Sequence, residues 1–464
     1  MDVTYPHWPL LVLLIGILTV VVLITVFKVH AFLSLMLASI VVGAISNSLP
    51  GDDGSYHLVQ AVELSMTEFG VIAGKIAFVI ALAAILGVAL TLSGAAERIV
   101  IKFMDLFGER FAPAALLLSG FVLSIPVFFD TVFFLLIPIA YSMGKRVPSK
   151  YMFFVLAVCV GAAITHHLVP PTPGPLIMAE TLQLNLGMVI IVGLLAGLVP
   201  AIAGYLVAKR VASTMEVHPP NLGTTEHAGE EPVRGLPAFS LAILPIVVPL
   251  LLIILASTNQ YLFAGDAANS GMSSLIMFIG NKNMAMLIGT LIALWLLARQ
   301  QNWGLAQVGK SMEKPLEIAG IIILITSAGG AFGGMIRYSG ISEWIQGIVD
   351  GGFQMNYLLL AWMVAALMKI AQGSGTVSMI TSAGIMYALI NNVDLPYHPV
   401  YILMSIGFGA MFISWMNDSG FWVVGKLSGF SERQTLRSWT VTLACIGVVG
   451  LIQTFILAML FPMI

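Results

Sequence analysis

The sequence predicts an all-α polytopic membrane protein of two inverted repeats, each with five crossings and one re-entrant hairpin, and with interrupted helices at the midplane. Three observations predict it. Of 464 residues, 59% are hydrophobic and only 9% charged, against roughly 25% charged in an ordinary soluble chain, so most of the surface must face lipid. Apolar stretches long enough to cross a bilayer, about 20 residues each, recur from end to end. The halves also match at a nearly fixed offset. LTLSGAAERI, with Gly94 and Glu97, corresponds to MIRYSGISEW, with Gly340 and Glu343, 246 residues later, and Thr131-Val132 corresponds to Thr376-Val377 at 245.

The first apolar stretch, Trp8 to Phe27, follows MDVTYPH, which holds Asp2 and no Lys or Arg. A signal peptide carries a basic leader and a small-residue cleavage site, so this stretch reads as a retained helix. Full crossings are expected at 8–27, 29–48, 74–96, 151–184 (interrupted), 187–207, 237–257, 279–298, 317–338, 398–425 (interrupted) and 437–462. Segments 113–143 and 354–391 are each broken at a tip that helices avoid, SIPVFFDT at 124–131 and AQGSGT at 371–376. Each is read as a hairpin that enters and leaves on one side.

Orientation follows from Lys and Arg placement. With the N-terminus outside, 16 of the 20 basic residues fall in cytoplasmic loops: Lys28; Arg98, Lys102 and Arg110; Lys145, Arg146 and Lys150; Lys209, Arg210 and Arg234; Arg299, Lys310 and Lys314; and Lys426, Arg433 and Arg437. Lys75, Lys282, Arg337 and Lys369 remain. Basic clusters on both flanks of 113–143 require that segment to dip in and return. An acidic loop around Asp52, Asp53, Glu63 and Glu68 lands outside, as does a loop near 265, and both termini are periplasmic. The chain divides into a first repeat, 1–210 (scaffold helices 8–96, hairpin, broken helix, helix 187–207), a polar cytoplasmic linker, 211–236, and a second repeat, 237–464, with scaffold helices 237–338. Five crossings is an odd number, so the second copy sits upside down, and inverted repeats with paired interruptions point to a transport site at the midplane.

The sharpest signal is THHLVPPTPGP (165–175). Four prolines and a glycine within 170–175 cannot continue a helix, since each proline removes an amide donor and clashes one turn back. Non-helical backbone at membrane depth survives only where protein or a wet cavity satisfies it. Its counterpart is SWMNDSGFW (414–422). Five ionisable groups lie at this depth, Asp130, His166, His167, Lys369 and Asp418, at a cost of about 2.5–3.5 kcal/mol each on insertion scales for a charged residue.

A carboxylate withdrawn from water takes up a proton more readily, which makes Asp130 the first candidate for a proton carrier, with capping of the half-helix at Thr131 as the alternative. His166 and His167 titrate in the useful range but point about 100° apart on a helix; His166 is placed with the proton-coupling groups and His167 with the substrate. Asp418 either carries a proton or, with Asn417 and Ser419, fixes the unwound backbone. Lys369 either holds a substrate carboxylate or neutralises Asp418. Half-helix N-termini aim free amides at the cavity and suit a carboxylate. Thr131, Thr165, Thr172 and Gly174 on one side, with Gly373, Ser374, Gly375 and Thr376 on the other, are candidate substrate contacts. No Cys, Asp or Glu stands at ligand spacing to the histidines, so no metal or other cofactor is expected, and Cys159 and Cys445 suggest no disulfide framework. The net charge of −2 points to no nucleic-acid partner. The glycines of SAGGAFGGM (327–335) read as close helix contacts, and Trp8, Trp422 and Trp439 as interface anchors.

FFDTVFFLLIPIAYSM, THHLVPPTPGP, KIAQGSGTVSMITSAGI and SWMNDSGFW together resemble the bacterial gluconate permease family, part of the ion transporter superfamily, from about residue 8 to the C-terminus. The resemblance implies proton-coupled uptake into the cell across the bacterial inner membrane. It also implies a homodimer with a scaffold part and a transport part that slides as an elevator. Members carry gluconate, other sugar acids or D-serine. Gluconate carriers have Glu where this chain has Asp130 and glycine where it has His167. The expected function is therefore proton symport of a small hydroxylated organic acid such as gluconate. The alternatives are a D-serine or other zwitterion symporter and a sodium-coupled acid carrier. An intramembrane enzyme is disfavoured by the lack of HExxH, GxSxG or an Asp-rich phosphate motif, and a channel by the lack of a pore-lining charged ring.

Overall fold

The computed structural model describes residues 7–47, 49–50, 56–215, 217, 219, 235–262, 271–341, 343–344, 356–391 and 393–463. Asp52 and Asp53, the loop near 265, most of the 211–236 linker and the first residues of segment 354–391 lie outside them. The described residues form helices and no strand. Seven helical stretches are long and apolar enough to cross a membrane: His57–Leu92, Pro148–Thr181, Leu186–Ala212, Phe239–Asn259, Lys282–Gln301, Leu305–Tyr338 and Glu432–Leu460. Trp8–Ile24, Ala31–Ile45, Tyr357–Gln372, Gly375–Ile390 and Val400–Gly409 are apolar but shorter.

One boundary moves far from its expected place. The helix expected at 74–96 runs from His57 to Leu92, about 54 Å at 1.5 Å per residue, so Glu63 and Glu68 belong to a helix and not to a loop. Hydropathy hid the first four turns because they are polar on one side. The Glu68 carboxylate is accommodated by partners across the interface: Tyr338 donates to it at 2.5 Å and Arg337 at 3.2 Å.

His57–Leu92 packs on Glu313–Tyr338; Ala31–Ile45 lies on Glu313–Tyr338, and Lys282–Gln301 lies on His57–Leu92. At the C-terminal ends of these two long helices, Gly94 and Gly340 both turn the chain through left-handed backbone, φ 72° and 80°, which a side chain would oppose. Outside this group, Ala112–Leu123 packs on Tyr151–Leu168 just as Tyr357–Gln372 packs on Val400–Gly409. Each pair touches at backbone distance: a Cβ on Gly161 would strike the Leu117 carbonyl, and one on Gly409 the Trp362 carbonyl.

Segment 113–143 folds as Ala112–Leu123 and Phe129–Arg146, and Arg146 meets Glu109 at 2.9 Å, so the two ends of the segment lie together. The arms of the second hairpin, Tyr357–Gln372 and Gly375–Ile390, are tied by Ser378 Oγ donating to the Ala365 carbonyl at 2.6 Å. Gly375–Ile390 packs along Glu313–Tyr338 through Gly333 and Gly384. A Cβ on Gly333 would stand 2.5 Å from the Gly384 Cα, and backbone cannot yield as a side-chain tip can. Gly333→Ala is expected to destabilise the protein by about 1–3 kcal/mol, read as a lower thermal midpoint in detergent; an unchanged midpoint would show that these helices do not stay in contact.

Candidate functional site

The proline break divides into two jobs. Tyr151–Leu168 ends at His166, His167 and Leu168, and Pro173–Thr181 begins the next half-helix. Pro173 and Pro175 occupy its first turn, where a missing amide proton costs nothing, and Pro170 and Pro171 span the gap. Thr172 Oγ closes the gap by donating to the carbonyls of Val169 at 2.7 Å and His166 at 3.1 Å. A second break lies between Val400–Gly409 and Ser419–Ser428. Its side chains satisfy the last carbonyls of the Tyr357–Gln372 arm, which no intrahelical amide reaches. Asn417 Nδ2 donates to Ile370 at 2.7 Å and Ala371 at 3.2 Å, and Trp415 Nε1 to Ile370 at 2.9 Å.

A buried polar relay joins this break to the second hairpin tip. Lys369, 3% exposed, donates to the Asp418 carboxylate at 2.6 Å and to the Gly373 carbonyl at 2.5 Å. Asp418 in turn caps Ser419–Ser428 by accepting from the Gly420 amide at 3.0 Å. Its other oxygen also accepts from Ser414, whose hydroxyl accepts from Trp439 Nε1 at 2.6 Å. The two buried charges are therefore paired, and each is hydrogen-bonded, as burial demands.

Beside the relay lies a cleft of about 440 Å³, inside the usual range for small-molecule sites. Asp130, Thr131, His166, His167, Lys369, Ser374, Gly375, Thr376, Asp418 and Ser419 line it. Asp130 stands in the first turn of Phe129–Arg146 without capping it, and no hydrogen bond or ion pair engages its carboxylate among the described residues. The rings of His166 and His167 meet edge to face at 5.3 Å. Thr165, Thr172, Gly174, Gly373 and Asn417 do not line the cleft. Thr165 bonds within its own helix at 3.3 Å, Gly174 admits the Met379 side chain, and Gly373, at φ 82°, seats the Asn417 carbonyl.

Several walls were not legible beforehand. Ile318, Ile322, Ile325 and Thr326 of Glu313–Tyr338 face the cleft, and the Thr326 hydroxyl is buried without a partner among the described residues. A lone threonine in an unbroken apolar run gives no signal of this. Trp439 is corrected: it is 3% exposed and forms part of the wall, because its one N–H is drawn inward by Ser414. The glycines at 329, 330, 333 and 334 face Ile380, Ile72, Gly384 and Glu68 and not the cleft. No group of three His, Cys, Asp or Glu side chains able to hold a metal occurs among the described residues.

Fold and site together define a multi-pass membrane transport protein. The family model described as GntP family permease matches residues 8–460, and the chain belongs to that family. It is similar to a gluconate permease of Pseudomonas aeruginosa, 30% identical over 448 residues that cover 96% of each chain. It is also similar to the low-affinity gluconate transporter of Escherichia coli, 30% identical across 94% of this chain and 95% of the relative. The inner membrane permease YgbN of Escherichia coli is 29% identical across 96% of this chain and 97% of the relative. Among solved structures, the YdaH transporter of Alcanivorax borkumensis aligns with a TM-score of 0.62 at 15% identity, covering 98% of this chain and 99% of that one, a likeness of fold alone.

Proposed function

We propose that this permease is a secondary active transporter of the inner membrane that takes up a small hydroxylated organic acid, gluconate or a related sugar acid, together with a proton. One observation carries the reading: two helix breaks meet at a polar cleft in which Lys369 and Asp418 neutralise each other while Asp130 has no ion-pair partner among the described residues. The paired charges leave the cleft neutral, so Asp130 is the group whose protonation offsets the charge of an entering anion. The names of the relatives agree with a sugar-acid cargo. Transport fits better than catalysis because the two charged groups of the relay are engaged with each other and with backbone at the second tip and break.

The reading includes two inverted units, 1–210 and 237–464, with both termini periplasmic, and an elevator motion within a homodimer. A break in the internal symmetry supports the motion. Glu313–Tyr338 packs along the second arm of its hairpin, Gly375–Ile390, whereas the matching contact of His57–Leu92 with Phe129–Arg146 is nearly absent. The cleft lies between residues 128–134 and the stretch 318–326 of Glu313–Tyr338, and Ile318 stands about one turn past Lys314 in that helix. On the basic-residue orientation this is an inward-open arrangement, and exchange of the two contacts would open the other side. The ion pair of Lys282 with Glu180 joins the two parts on the far side.

Uptake of labelled gluconate by proteoliposomes tests the reading. Accumulation driven by an inward proton gradient, abolished by protonophore and indifferent to sodium, is the expected result. Uptake unaffected by protonophore would reject proton coupling, and D-serine out-competing gluconate would reject the sugar-acid cargo.

A further inference from the structure

We propose that His167 selects for a hydrogen-bond donor on the carbon next to the substrate carboxylate, so that this cleft takes 2-hydroxycarboxylates and discriminates against their 2-deoxy analogues. The inference rests on the reading above that the cleft carries an organic anion. Nδ1 of His167 lies 2.8 Å from the Ala163 carbonyl oxygen. A carbonyl only accepts, so Nδ1 holds the proton, and a neutral imidazole with one proton leaves its other nitrogen a bare acceptor. That nitrogen, Nε2, is buried in a residue 8% exposed and has no partner among the described residues. A buried acceptor left empty is costly, and no donor among the described residues fills this one.

Its position identifies what would. Nε2 abuts Gly375, in the first turn of Gly375–Ile390, where a Cβ would collide with the ring. Ser374 Oγ accepts the Val377 amide at 3.3 Å, which leaves the Gly375 and Thr376 amides directed out of the helix end. A carboxylate seated on those amides puts its neighbouring carbon against the imidazole, and a hydroxyl there donates to Nε2. An ammonium at the same carbon shares this donor chemistry but brings a charge that needs a counter-ion. Lys369 already occupies Asp418, and Asp130 is the remaining carboxylate of the cleft, reserved above for the proton. The hydroxyl needs no counter-charge.

Calorimetric titration of the purified full-length protein with gluconate, 2-deoxygluconate and D-serine tests this. Wild-type protein is expected to bind gluconate about 10–100-fold more tightly than 2-deoxygluconate. His167→Asn keeps a donor to the Ala163 carbonyl and loses the acceptor at Nε2, and should bring the two affinities within about twofold by weakening gluconate. His167→Gln, whose amide oxygen reaches the Nε2 position, should restore part of the preference. Equal wild-type affinity for the two acids overturns the inference and leaves the transport reading intact, whereas failure of both acids to bind overturns both. Equal weakening of both acids by His167→Asn would mean that the ring grips the carboxylate, and tight D-serine binding lost in that variant would make the donor an ammonium; either result overturns the proposal. Should His167→Asn not fold, the wild-type ratio and His167→Gln still decide it.

Discussion

Lys369→Met is expected to abolish uptake and to destabilise the protein by about 3–5 kcal/mol, the usual cost of stranding one partner of a buried ion pair. Asp418, 7% exposed, would keep Ser414 and the Gly420 amide but lose its counter-charge, and the Gly373 carbonyl would lose its donor. The second hairpin tip and the second helix break would then be held only by Asn417 and Trp415 on the Ile370 and Ala371 carbonyls among the hydrogen bonds described. Lys369→Met combined with Asp418→Asn removes both charges and should recover most of the thermal stability, because a neutral pair of similar size avoids the desolvation cost. Recovery of stability without uptake would assign Lys369 a further part in binding the anion. A single variant as stable as wild type would show that the pair is solvated.

Asp130→Asn is expected to convert a concentrating carrier into an exchanger. Symport of one proton with a monovalent anion is electroneutral and concentrates substrate about tenfold per pH unit, since one pKa unit and one decade are the same free energy. With asparagine at 130 the accumulation ratio should fall to about one, while counterflow of labelled gluconate against unlabelled persists. The asparagine fits because Asp130 caps no helix and makes no hydrogen bond or ion pair among the described residues, so little structure depends on its charge. Full accumulation by the variant would remove Asp130 from the proton path.

Much of the architecture was legible because membrane constraints are severe. The prolines at 170, 171, 173 and 175 cannot be carried through an unbroken helix, the NDSG run at 417–420 marks a second interruption, and apolar flanks fix their depth. What the sequence left open were contacts between distant segments. Lys369 and Asp418 are 49 residues apart, and two roles for each were open until the second hairpin was seen to meet the second break. Thr165, Thr172 and Asn417 resemble substrate donors in composition, yet Thr172 and Asn417 spend their hydrogen bonds on backbone that the breaks leave exposed and Thr165 bonds within its own helix. Trp439 and Thr326 were missed for the opposite reason, as single polar atoms on residues that blend with apolar helix. The early start of His57–Leu92 was missed because Glu68 is paired across an interface that hydropathy does not see.

Labelling of cysteine placed at Thr131 or Ser374, in a chain lacking Cys159 and Cys445, tests the central claim most directly. A membrane-impermeant maleimide applied in water should react at both positions, and saturating gluconate should slow both reactions by about tenfold, because the two tips line one wet cleft. Reaction only with a lipid-soluble reagent, or rates that gluconate leaves unchanged, would contradict it.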